Sequence, residues 1–63
     1  MSNHELDEAV ANVTRRMNCH RRATLAAEDA GNDLLARQEW AAFERCQRQY
    51  RALCDNANSR VTA

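Results

Sequence analysis

The chain has 63 residues and a formal net charge of zero, with nine acidic and nine basic residues. That length holds at most one domain, and the neutral balance excludes a global pull toward nucleic acid or membrane, so any electrostatic role must come from local segregation of charge. A chain this short buries only about 60% of the surface its unfolded form exposes, and small scaffolds commonly add a disulfide set, a metal or a partner subunit.

There is no proline and one glycine, and hydrophobic residues make up 44% of the chain, much of it alanine. Ala, Leu, Arg, Glu and Gln are strong helix formers, and no stretch alternates apolar and polar residues as a strand would. An all-α chain is expected. The three cysteines, Cys19, Cys46 and Cys54, are an odd number, which argues against a disulfide framework. The opening Met-Ser-Asn-His-Glu has neither a basic nor an apolar leader region. No stretch approaches the length of a membrane span. A reduced, cytoplasmic chain with no membrane contact is the expectation.

In chain order, Ser2-Asn3-His4-Glu5 fits a capping box, with Ser2 as N-cap and Glu5 three positions on. Glu5, Asp7 and Glu8 add negative charge where a helix dipole favours it. The first helix is predicted over residues 3–30. Its core stripe is Leu6, Val10, Val13, Met17, His20, Thr24 and Ala27, spaced alternately by four and three. Gly31 stands where a helix ends in positive φ, and Asn32 or Asp33 can cap the next helix. So short a link, at Gly31-Asn32, forces the helices antiparallel and adjacent. The second helix is predicted from about residue 33 to about 56, because Asp55-Asn56-Ala57-Asn58-Ser59 lowers helix propensity. Residues 1–63 then form one hairpin domain with a frayed tail at 58–63.

The two helices differ in the width of their apolar faces. At 100° per residue the first has a narrow arc. The second carries Leu35, Ala42, Cys46 and Leu53 on one edge, Glu39, Tyr50 and Ala57 in the centre, and Ala36, Trp40, Phe43 and Cys54 on the other. That arc spans roughly 160°, more than one neighbouring helix covers. Large uncovered apolar patches mark interfaces. The expectation is therefore a homodimer of hairpins forming a four-helix bundle, with Leu6, Val10, Val13, Met17, Leu35, Cys46 and Leu53 in the core or dimer contact.

Four groups of residues bear on chemistry. His4, Cys19, His20, Cys46 and Cys54 have none of the close Cys spacings of a structural zinc site, so no metal or cofactor is expected. His20 and Glu39 fall on core faces and come within a turn of each other in a closed hairpin. Such a pair serves as a polar layer that fixes register or, less simply, as an acid–base pair. With no nucleophile beside it and no room for a deep pocket, an enzyme is not expected. Arg15, Arg16, Arg21 and Arg22 lack an acidic neighbour three or four residues away, and Arg45, Arg48 and Arg51 join them at the same height. Glu44–Arg48 and Arg51–Asp55 have the spacing of helical ion pairs. Trp40 sits at the margin of the arc, and Trp is enriched at binding hot spots.

The function read from these residues is a small non-catalytic adaptor or regulator. Its expected partner is another protein, bound through Trp40, Phe43 and Tyr50 with the arginine band Arg15, Arg16, Arg21, Arg22, Arg45 and Arg48. The alternative is a dimeric regulator whose arginines bind the phosphates of RNA or DNA.

Overall fold

The computed structural model of the chain describes residues 2–62, with side chains through Asn58. Two helices, α1 (Asn3–Asp29) and α2 (Asp33–Thr62), fold back on each other as a hairpin. No strand occurs among the described residues.

Both ends of α1 are closed by the residues the sequence offers for it. Ser2 is the N-cap: the Glu5 amide donates to its hydroxyl, and the Ser2 amide donates back to the Glu5 carboxylate. At the other end Gly31 takes φ +73°. That turn lets the Asn32 amide donate to the Ala27 carbonyl at 2.8 Å and the Gly31 amide to the Glu28 carbonyl at 3.0 Å. Two carbonyls that a helix end leaves open are thereby satisfied. Asn32 works in both directions, because its side-chain oxygen accepts from the Leu35 amide at 3.1 Å and so caps α2. One glycine and one asparagine thus reverse the chain.

Helix α2 runs to Thr62, about six residues beyond the predicted end near residue 56. Asp, Asn and Ser lower helix propensity by tenths of a kilocalorie each, whereas an actual stop needs glycine or proline. Neither follows Gly31. The side chains from Ser59 onward, where a frayed tail was expected, lie outside the described residues.

The seam between the helices is thin. Leu6, Val13, Thr24 and Ala27 of α1 are buried, as are Ala36 and Cys46 of α2. Val10, Met17, His20, Glu39, Phe43 and Leu53 are half-buried. Leu35, expected in the core or the dimer contact, is 40% exposed, and Tyr50, placed at the centre of the α2 arc, also remains exposed. For the edges the reason is geometric: the α2 arc is wider than the strip one helix can cover. Leu35 on one edge and Trp40 on the other both stay in solvent, at 40% and 48%.

The hairpin is a rod of 48 × 16 × 12 Å with a radius of gyration of 14.5 Å. A compact domain of this length has a radius of about 11 Å. The accessible surface is 4817 Å², against about 4100 Å² for a compact monomer of this mass.

Gly31→Ala should destabilise the hairpin by about 1 kcal/mol through the strained φ alone, since an added methyl meets no atom within 4 Å. Gly31→Asn should cost less, because asparagine tolerates that conformation. Chemical denaturation of the two variants checks the order; equal stability of all three proteins would show that the turn is not held at positive φ.

Candidate functional site

The α-helical repeat gives the hairpin two broad faces, one on each side of the seam. One face is apolar. Along it lie Val10 and Met17 of α1 with Phe43, Trp40 and Cys54 of α2, and Trp40 flanks a shallow depression lined by Thr24, Glu28, Ala36 and Arg37. The Trp40 and Phe43 rings stack, with centroids 5.0 Å apart and planes 19° from parallel. Phe43 is half-buried in the seam while Trp40 stays outside it. Such stacking stabilises an aromatic pair by about 0.5–1.5 kcal/mol beyond burial, and it holds the indole at the surface in a fixed pose. Leu25 is 54% exposed on the part of α1 beside Trp40, and Leu34 is 68% exposed near the turn.

The other face is polar and basic. Arg16, His20, Ala42, Arg45, Cys46 and Gln49 line one depression there. Towards the open end of the hairpin, Ala9, Asn12, Val13 and Arg16 face Gln49, Leu53 and Asn56. The Arg16 guanidinium donates to the Gln49 side-chain oxygen at 3.3 Å across the seam, and Arg15 donates to Asn12 on its own helix. Arg15 and Arg22 continue this face around the back of α1, where they flank Cys19 and Asn18. Arg48 neighbours Arg45 three residues on, whereas Arg21 and Arg51 turn elsewhere by the same helical geometry, so the arginine band is divided rather than continuous.

The salt bridges suggested by spacing do not form. Among the described residues, the carboxylates in ion-pair reach of a base are Glu8, with His4 at 3.0 Å, and Glu39, with His20 at 2.6 Å. Neither Glu44–Arg48 nor Arg51–Asp55 closes, and no described arginine has a carboxylate partner. Exposed pairs of this kind are worth roughly 0–1 kcal/mol and lose side-chain entropy on closing.

His20 and Glu39 do meet. The imidazole Nδ1 and the carboxylate Oε2 are 2.6 Å apart across the seam, and both side chains are mostly buried. Thr24 lies buried one turn along and donates its hydroxyl to the His20 carbonyl at 2.8 Å. Thr24, His20 and Glu39 therefore form a polar layer with each polar side chain engaged, and no described buried side-chain polar atom is left without a partner. Such a layer resists sliding of one helix past the other, because a shift by one turn strands a buried polar group.

Cys46 is buried, Cys54 half-buried and Cys19 exposed, all as free thiols. No described group of three histidine, cysteine or acidic side chains is arranged to hold a metal ion. No helix among the described residues is long and apolar enough to cross a membrane. One turn before Cys54, the Tyr50 phenol interacts with the cysteine thiol, first of all as a hydrogen-bonding neighbour. That interaction, together with the negative charge of the sulfur when ionised, raises the Tyr50 pKa above the usual value for tyrosine.

The sequence placed Trp40, Phe43, His20 and Glu39 usefully, but it missed the amides. Asn12 is legible as a neighbour of Arg15 three residues on. Gln49 meets Arg16 from 33 residues away, which no local pattern encodes.

Two variants test this layer and this tyrosine. Glu39→Ala should lower unfolding free energy by about 1 kcal/mol, and the loss should shrink in a His20→Ala background when the two changes are combined in a double-mutant cycle. Additive losses would show that the pair is not coupled. Cys54→Ala should lower the titration of Tyr50, the only tyrosine, as read by phenolate absorbance. Because the folded chain holds the phenol proton more tightly than the unfolded chain, stability is unaffected below the ordinary tyrosine range. It declines as pH rises through that range.

No protein-family model matches this chain, and no curated protein or solved structure matches it either.

Proposed function

We propose that the chain is a small non-catalytic adaptor or regulator that works by binding other chains through the apolar surface of α2, and that a second copy is the first of these. In this reading two hairpins lay their apolar faces together as a four-helix bundle. The arginines remain available for a further partner.

The observation that supports this reading is the apolar side chains left in solvent once the two helices have packed. Trp40, Leu25, Leu34, Leu35 and Tyr50 are exposed, whereas among the described residues Val13 is the one large side chain fully enclosed. The surface excess has the matching size. The hairpin exposes about 700 Å² more than a compact monomer of its mass, and a stable interface buries about 800 Å² on each partner. A twofold axis is the commonest way for identical patches to cover each other. The rigid Trp40–Phe43 stack provides the kind of anchor on which binding energy concentrates.

Trp40 is the only tryptophan, so its fluorescence reports on this face directly. Its emission should shift to the blue as protein concentration rises through the association range. Trp40→Ala should weaken association by about 2 kcal/mol, or roughly thirtyfold, while the helical circular-dichroism spectrum at high concentration is retained. Emission that stays at the wavelength of a solvated indole at all concentrations, with no other chain bound, would contradict the reading.

A further inference from the structure

The face opposite Trp40 has a different chemistry. Three shallow depressions adjoin there, joined through Arg15 and Arg16. Arg15, Arg16, Arg22 and Arg45 supply positive charge, and Asn12 and Gln49 supply amides beside them. No carboxylate lines any of the three. Glu39, the nearest acidic group in the seam, is held by His20 at 2.6 Å. The guanidiniums bond only to neutral amides, Arg15 to Asn12 and Arg16 to Gln49. Those contacts aim the groups without neutralising them, so the positive charge of this face is uncompensated.

We propose that this face binds the phosphodiester backbone of double-stranded nucleic acid. Guanidiniums pair with phosphate oxygens through two parallel hydrogen bonds, and neighbouring amides donate to the same oxygens. Arg15 and Arg22 lie seven residues apart, about 10 Å along a straight helix, so the two guanidiniums can reach separate phosphates of a duplex. Two features argue for a duplex over its rivals. A single strand is gripped by stacking its bases on aromatic rings; no tryptophan, tyrosine or phenylalanine lines this face, and the one ring there, the His20 imidazole, is mostly buried and held by Glu39. A protein partner is anchored by buried aromatic or large apolar side chains. Here the apolar groups beside the arginines are small or already half-buried in the seam, chiefly Ala42 and Leu53. A duplex presents phosphates outward and needs neither anchor. The inference does not depend on what covers the Trp40 face, which lies on the other side of the hairpin.

The test is fluorescence anisotropy of a labelled DNA duplex, an RNA duplex, a single strand and a polyglutamate peptide, each titrated with the full chain between about 50 and about 200 mM salt. Binding of either duplex should fall with salt at a log–log slope of about −3.6 for four phosphate contacts. The double variant Arg15→Gln/Arg22→Gln should reduce that slope by about 1.8 and weaken binding at least tenfold. The pair Arg37→Gln/Arg51→Gln, of which Arg37 lines the depression beside Trp40 and Arg51 turns to the same side by helical geometry, should leave both unchanged. All four side chains are exposed, so folding is expected to survive and is checked by circular dichroism. The proposal is overturned by duplex binding that ignores salt, or by no duplex binding at the lowest salt. Tighter binding of the single strand or of polyglutamate overturns it as well, as does an equal loss from both double variants.

Discussion

Two helices laid side by side can bury only the strip that each turns toward the other. Everything else about this protein follows from that limit. A globular domain surrounds its core with neighbours on several sides, whereas here each helix has one. Among the described residues the buried part of the seam comes down to Leu6, Val13, Thr24 and the small side chains of Ala27, Ala36 and Cys46. Alanine and cysteine let the helices approach closely but remove little apolar surface from water, about 25 cal/mol for each Å². The wide apolar arc of α2 is therefore divided. Ala36 and Cys46 pack on α1, whereas Leu35, Trp40 and Tyr50 face solvent.

Against so small a core, the polar layer of Thr24, His20 and Glu39 carries more than its usual weight. An apolar seam of small residues would allow neighbouring registers of similar energy. A hydrogen bond of 2.6 Å between His20 and Glu39 removes that freedom, because sliding either helix by one turn breaks it. The turn acts from the other end. Gly31 and Asn32 fix where α1 stops and α2 starts, and the layer fixes which residues then face each other. Register, in turn, is what brings Gln49 to Arg16 and sets the basic face apart from the apolar one.

The fold was legible because its signals are local. The capping box at Ser2 and Glu5, the lone glycine, and the four-and-three spacing from Leu6 to Ala27 each act within a few residues, and each appears in the structure. The far end of α2 was misjudged because weak propensities were read as a stop. The exposure of Leu35 and Tyr50 in the single hairpin could not be read from the sequence, because an arc on one helix says which residues are apolar but not which of them one neighbour can reach. The candidate surfaces were legible in part. Trp40 beside Phe43 follows from helical spacing, and the His20–Glu39 contact from a hairpin closed at Gly31. The division of the arginines between two sides, and the bond from Arg16 to Gln49, depend on where each helix points after packing. The expected ion pairs Glu44–Arg48 and Arg51–Asp55 failed for a simpler reason: correct spacing permits a surface pair but does not hold it.

The central claim is that this hairpin is half of a core and that a second copy supplies the other half. The most direct measurement is the solution mass by light scattering across a range of concentrations, with circular dichroism on the same samples. The account predicts twice the 7.2 kDa chain mass and helix content that falls as dilution separates the copies. A stably folded particle of 7.2 kDa at every concentration would contradict it.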